Sequence, residues 1–332
     1  MKSARHSLWL LVLWALAACS PPALIQQQSY VFGTLVEVSV YGVPESQAQP
    51  AITAVLARFD ALHRMLHAWQ PSELSRLNSA LAKAQRSTIT PELAAILLDA
   101  QAMAAHSNDL FNPAIGGLIA LWGFHADTPQ SQVPGAAALA RWVKAAPRMR
   151  DLHIEKNTVW SDNPAVQIDL GGYAKGYALD EAVRILKAHG VHHALVNIGG
   201  NVIALGAHGE RPWRVGIQHP RQPGTLATLD LHDGEAVGTS GDYQRYFEAG
   251  GRRYSHLIDP RSGNPAAGMQ SVTVQVAGKR AGVRSDALSK PLFIGGAAQL
   301  ENHAPRLGIT HYLAVDATGK MHISPAMKSR LR

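Results

Sequence analysis

The run Ile168-Asp-Leu-Gly-Gly-Tyr-Ala-Lys-Gly-Tyr-Ala-Leu-Asp180 constrains this chain most. A buried strand end passes through Gly171 and Gly172 straight into a helix. The turn carries an acid (Asp169), two backbone positions that a ligand can approach closely, and a cation (Lys175). A helix start preceded by glycine attracts anions, because its first N–H groups lack partners and the macrodipole adds positive potential. The spacing matches neither GxxxxGK[ST] nor GxGxxG. An anionic ligand held in some other way is therefore expected here. The competing reading is a plain glycine-rich strand-to-helix connection.

The remaining periodicities give an α+β chain. Val36, Val38 and Val40 alternate with polar neighbours in a strand over residues 30–41. Ile52, Val55, Leu56, Phe59, Leu62 and Leu66 follow helical spacing over 51–67. Thr90 and Pro91 start a second helix that runs to His106, and 135–144 reads as a third. Residues 180–189 are helical and Gly190 stops them. Strands then dominate: 194–198, 202–205, 213–218, 227–231, 254–258 and 270–276. Residues 284–293 read as a helix that Pro291 should bend or interrupt. A hairpin spans 312–315 and 321–324. The order implies largely antiparallel pairing.

The N-terminus reads as a targeting segment. Lys2 and Arg5 precede an apolar run from Leu8 to Leu16, too short for a permanent membrane span. Leu16-Ala17-Ala18-Cys19 resembles a bacterial lipobox, with 1–18 cleaved and Cys19 lipidated. Cys19 is the only cysteine, so no disulfide forms within the chain. The expected product is a periplasm-facing protein of the bacterial envelope, anchored to the membrane by acyl chains through a tether at 19–29. The formal net charge of +7 comes without an arginine-rich helix or a basic-aromatic stripe, which argues against nucleic acid. Sixteen histidines are scattered without metal-ligand spacing.

Four further clusters carry chemistry-bearing side chains. Residues 107–124 mix turn-forming polar residues, glycines and aromatics, and could contact a flat ring or simply form a helix–loop–helix corner. Asn197-Ile-Gly-Gly-Asn201 is a tight turn between strands. His256 lies near Asp242, Asp259 and Ser240 in sequence and could act as a general base. Asp286 and Ser289 share a helix face, a carboxylate and a hydroxyl that suit Mg²⁺, although Asp286 could equally be a helix cap.

Together these clusters resemble the ApbE family, the FAD:protein FMN transferases. The matching motifs begin at Phe32-Gly-Thr34. They continue through Asp169-Leu-Gly-Gly-x-Ala-Lys-Gly-Tyr177, Asn197-Ile-Gly-Gly200, Thr239-Ser-Gly-Asp-Tyr243, His256-x-Ile-Asp-Pro260 and Ser285-Asp-Ala-Leu288. The resemblance implies an α+β, ApbE-like fold of mostly antiparallel sheets with packed helices. It would form a single large domain of two intimate lobes over residues 30–326, followed by a basic tail at 327–332. It also implies a Mg²⁺-dependent enzyme that splits FAD, attaches FMN to a Thr or Ser hydroxyl of an acceptor flavoprotein, and releases AMP. Typical acceptors are subunits of membrane redox complexes. The family's FAD site falls on Phe32, Trp69, Leu110, Phe111, Asn112, Asp169, Lys175 and Ile258. Its catalytic histidine falls on His256, and its metal site on Gly172, Asp286, Ser289 and Lys290.

Lys290 departs from the pattern, because the family has a metal-binding Thr there. An ammonium cannot coordinate Mg²⁺. Either Lys290 swings out, with Ser289 or water in its place, or it supplies part of the cation's charge. Phe32 replaces a common Met and Asn201 a common Asp. Three alternatives fit the same sequence: an FAD pyrophosphatase that uses water as acceptor, a non-catalytic flavin-binding assembly lipoprotein, and a periplasmic sugar- or metal-binding module.

Overall fold

A computed structural model describes residues 24–126 and 133–332. The expected targeting segment and Cys19 lie outside the described residues. The strands, in chain order, are β1 (Ile25–Val31), β2 (Thr34–Val40), β3 (Ser87–Thr88), β4 (Leu152–Glu155), β5 (Thr158–Ser161), β6 (Ala194–Ile198), β7 (Asn201–Leu205), β8 (Trp213–Gln218), β9 (Thr225–Leu231), β10 (Glu235–Gly241), β11 (Tyr246–Ala249), β12 (Arg252–Ser255), β13 (Met269–Ala277), β14 (His311–Asp316) and β15 (Met321–Ile323). The helices are α1 (Glu45–Leu66), α2 (Glu73–Leu81), α3 (Pro91–His106), α4 (Gly116–Leu121), α5 (Ala136–Ala145), α6 (Ala174–Ala188), α7 (Ala281–Gly295), α8 (Leu300–Arg306) and α9 (Pro325–Lys328).

An eight-stranded sheet, ordered β1-β2-β6-β7-β10-β13-β14-β15, organises the molecule, and its pairs are antiparallel. Period-2 alternation sends side chains to opposite faces. Ile203, Leu205, Ala236 and Ala314 point into a core shared with α1, α3, α6 and α7. Val202, Ala204, Val237, Leu313 and Val315 point the other way, against the β8–β9 hairpin and Met327. Both faces are therefore covered, and β13 is buried along almost its whole length. A third cluster of Ile115, Leu118, Trp122, Phe124, Phe247 and Ile258 lies apart from these two.

Several expectations are corrected. The strand expected over 30–41 is a hairpin, with Val31 paired to Thr34 and a two-residue turn at Phe32-Gly33. Both turn residues have positive φ, 56° and 69°, as a type I′ turn demands. Alternation alone does not register a turn whose first residue is Phe. The same hairpin takes Ile25 to Ser29 out of the expected tether and into β1. The supposed basic tail is also packed. Arg330 binds Glu235 (2.6 Å and 3.1 Å), and Arg332 Nε donates to Asp230 (2.9 Å). Helix α1 begins six residues earlier than its apolar periodicity suggests and accommodates Pro50. Pro291 likewise lies inside α7 without ending it. Strand β10 escaped notice because Gly238, Thr239 and Ser240 break its apolar pattern. Gly238 is needed there: a Cβ would lie 2.3 Å from the Ser285 carbonyl oxygen on α7.

Asn78 on α2 fixes the chain just before the Asp169 turn. Its amide donates to the Ile168 carbonyl (2.9 Å) and accepts from the Ile168 N–H (2.7 Å), all buried. Asn78→Ala strands both backbone groups, each costing about 1–3 kcal/mol. Chemical denaturation is expected to show that loss, and an unchanged midpoint would remove the clamp from this account.

Candidate active site

One cleft of about 770 Å³ collects the sequence-predicted residues. Phe32, Trp69, Leu110, Phe111, Asn112, Asp169, Gly172, Lys175, His256, Ile258, Asp286 and Lys290 all line it. Ser289 does not. It is fully buried, with its hydroxyl 2.8 Å from Ser240 Oγ and donating to the Asp286 carbonyl (2.9 Å). The volume is in the usual range for small-molecule and cofactor sites.

The cleft is anchored by α6 and α7, each of which caps the other. Asp286 Oδ2 on α7 accepts from the Gly176 N–H in the first turn of α6 (2.9 Å). Asp180 on α6 accepts from the N–H groups of Gly282 (2.9 Å) and Val283 (3.0 Å) at the start of α7. These carboxylates satisfy helix donors that lack intrahelical partners. The anion expected at the start of α6 is thus supplied in part by the protein itself. The two helices approach closely because a Cβ on Gly176 would lie 2.4 Å from the Gly282 carbonyl oxygen, and one on Gly282 would lie 2.5 Å from that of Gly176.

The rest of the wall mixes rings and charges. Phe32, at the β1–β2 turn, packs on Phe59 (6.2 Å) and His63 (5.6 Å). The Trp69 indole N–H donates to Asp169 Oδ2 (3.1 Å), and the Gly171 N–H to Asp169 Oδ1 (2.7 Å). Burial pushes the Asp169 carboxyl above its usual range, and these two donors oppose the shift. Burial pushes Lys175 down. Asp286 opposes that shift, whereas Lys290 and Arg245 add to it. The Asn112 amide is spent on structure, donating to the Pro147 carbonyl (2.9 Å) and accepting from the Ala114 N–H (3.1 Å). Trp122 and Phe124 in the 107–124 cluster are buried side chains of the third apolar cluster, and only Phe124 also reaches the cleft.

His256 is held differently from the sequence expectation. Its nearby carboxylates are engaged elsewhere: Asp242 with Arg221 (2.6 Å and 2.7 Å) and Asp259 with Arg261 (2.8 Å). Its Nδ1 lies 3.1 Å from the Arg245 carbonyl oxygen instead. A carbonyl only accepts, so Nδ1 carries the proton and Nε2 keeps a lone pair. Burial lowers the imidazole pKa to about 3. The Arg245 carbonyl resists that shift, and the charges of Arg245, Lys175 and Lys290 reinforce it.

Arg245 was not identified from sequence. It follows the Thr239–Tyr243 motif without any pattern of its own. Its guanidinium also ties down the Phe124 (2.8 Å) and Ala126 (2.7 Å) carbonyls.

The implied Mg²⁺ can be tested against these donors. Asp286 Oδ1 takes the Lys290 ammonium (2.7 Å), and its Oδ2 takes the Gly176 N–H (2.9 Å). The Asp286 carbonyl takes Lys290 (2.7 Å) and the Ser289 hydroxyl (2.9 Å). A Cβ on Gly172 would meet Lys290 Cε at 2.6 Å, so the lysine stem fills the space beside that glycine. Mg²⁺ requires near-octahedral oxygen ligands, and this donor set does not fit it.

Comparison with known proteins agrees with the geometry. The model of the ApbE family matches residues 32–313. An FAD:protein FMN transferase of Rhodobacter capsulatus is 44% identical over 312 residues, covering 94% of this chain and 59% of that protein. This chain thus spans a little over half the length of that relative. One from Klebsiella pneumoniae (strain 342) is 31% identical over 291 residues, covering 85% of this chain and 82% of that protein. Among solved structures, the ApbE protein of Thermotoga maritima MSB8 superposes with a TM-score of 0.86 at 28% identity, covering 93% of this chain and 100% of that one. The apo form of the Pseudomonas stutzeri flavinyl transferase ApbE gives 0.81 at 27% identity, covering 94% and 98%.

Proposed function

The chain belongs to the ApbE family, and from that premise we propose that it is an FAD:protein FMN transferase. The observation that carries this reading is one cleft lined both by aromatic rings, among them Phe32, Trp69 and Phe124, and by Lys175, Arg245, Lys290 and His256. The rings suit the flat, apolar parts of FAD, and the cations suit its diphosphate.

Phosphoryl transfer depends on placement and charge neutralisation more than on covalent help from the protein. The acceptor hydroxyl oxygen attacks the FMN-side phosphorus. The new P–O bond joins FMN to the acceptor, and the bond from that phosphorus to the bridging oxygen breaks. AMP leaves with the electron pair. The hydroxyl proton passes to Nε2 of His256. Asp169, steadied by Trp69 and Gly171, orients the substrate rather than taking that proton. The implied Mg²⁺ has no part in this reading, because the donors that would hold it are already engaged.

The acceptor is a Thr or Ser of an exported or membrane flavoprotein, and the chain reaches it from a lipid anchor on Cys19. The acceptor is what the family resemblance implies, and the anchor rests on the lipobox-like Leu16-Ala17-Ala18-Cys19. No helix among the described residues is long and apolar enough to cross a membrane. Incubation with FAD and a Thr-bearing acceptor, followed by in-gel flavin fluorescence and AMP analysis, tests the assignment. A fluorescent acceptor with matching AMP is expected. Free FMN without labelled protein would make the chain a pyrophosphatase. Bound, uncleaved FAD would make it a carrier.

A further inference from the structure

Lys290 lies one helical turn after Asp286, and its ammonium makes two hydrogen bonds there: to Oδ1 (2.7 Å) and to the main-chain carbonyl (2.7 Å). The side chain is only 16% exposed, and Asp286 is 2% exposed. Gly172 keeps open the space through which the lysine stem passes. An ammonium has three hydrogens, and two are used. Lys290 lines the cleft, so the third remains available to an anion bound there. Lys290 also adds its charge to the field that lowers the His256 pKa, so that field reaches the proposed base.

These contacts describe a cation already seated on the carboxylate. A divalent ion would need Asp286 oxygens that already accept from the Lys290 ammonium and the Gly176 N–H, and the ammonium's charge would repel it. It would also need a hydroxyl that Ser289 has turned towards Ser240. We propose that Lys290 is a built-in cation for the FAD diphosphate, standing in for the divalent metal, so that this chain transfers FMN without Mg²⁺. The inference rests on the transferase reading above. Lys290 contributes charge and one hydrogen bond to a diphosphate oxygen. It gives up no proton, because the bond changes are those already described and the hydroxyl proton goes to His256.

Two measurements on the full chain decide it. The first follows FAD turnover to AMP and labelled acceptor, with Mg²⁺ or with excess chelator. Wild-type rates are expected to agree within about twofold. Lys290→Thr in chelator is expected to lose about 10²–10³-fold, the usual cost of removing one charge-stabilising donor, and Mg²⁺ is expected to recover much of that loss. The second titrates Mn²⁺ into FAD-loaded protein by electron paramagnetic resonance. Wild type is expected to bind no more than FAD alone does, and Lys290→Thr to gain one site.

Wild-type turnover that collapses in chelator and returns with Mg²⁺ would overturn the proposal. So would one tightly bound Mn²⁺ per wild-type chain. Absence of turnover under every condition would instead count against the transferase reading, and the Mn²⁺ titration would still decide the role of Lys290. If Lys290→Thr fails to fold, the wild-type arms suffice.

Discussion

His256→Ala is expected to lower FMN transfer by about 10²–10⁴-fold, the usual contribution of a positioned base, while FAD affinity changes little. The asymmetry follows from geometry. His256 Nδ1 is committed to the Arg245 carbonyl at 3.1 Å, which aims the free Nε2 lone pair and leaves binding to the rings and cations. Dissociation constants by flavin fluorescence, set beside single-turnover rates, separate the two effects. Normal turnover in the variant would remove His256 from the mechanism.

The pH profile gives a second check on the same residue. In the free enzyme, burial and three cations hold the His256 pKa near 3 rather than 6.5. The acid limb of kcat/KM, which reports the free enzyme, should therefore lie well below 6.5. A bound diphosphate brings negative charge among those cations and offsets them, so the acid limb of kcat should lie higher. The sign for stability is also fixed. The unfolded chain protonates His256 below about 6.5 and the folded chain only near 3. Stability from this group is thus present above 6.5 and declines as the pH falls towards 3.

Motif residues were legible from sequence because their chemistry is local. Asp169, Gly172, Lys175, His256 and Asp286 sit in short signatures, and the fold brings them to one cleft. The helix at Thr90-Pro91 was legible for the same reason, since its cap lies within three residues of its start. What escaped notice depends on partners distant in sequence. The clamp from Asn78 reaches across 90 residues to Ile168. For Asp286 a capping role is readable from sequence, but not its partner, Gly176, 110 residues away on another helix. No periodicity encodes either contact. Ser289 was misplaced because helical spacing gives a shared face but not which side of that face meets the cleft, and the hydroxyl turned inward to Ser240. Strand β10 was lost because its glycine serves α7 rather than the sheet.

Gly176→Ala is expected to destabilise the fold and damage the site together. In an exposed helix this change would gain about 0.8–1.0 kcal/mol of propensity. Here the new methyl would lie 2.4 Å from the Gly282 carbonyl oxygen, 2.7 Å from Val283 Cα and 2.8 Å from Asp286 Cβ. Two of these atoms are backbone, so no rotamer change relieves the contact and α6 must move away from α7. Overpacking of this kind costs roughly 1–3 kcal/mol, sometimes more, which outweighs the propensity gain. The same movement lengthens the bond from the Gly176 N–H to Asp286 Oδ2, now 2.9 Å. That carboxylate also holds Lys290, so turnover should fall further than the loss of folded protein explains. Thermal unfolding and single-turnover rates at a temperature where the variant remains folded check both halves. A melting temperature at or above wild type would mean that the two helices do not cross on these glycines, and the reciprocal capping that shapes the cleft would have to be abandoned.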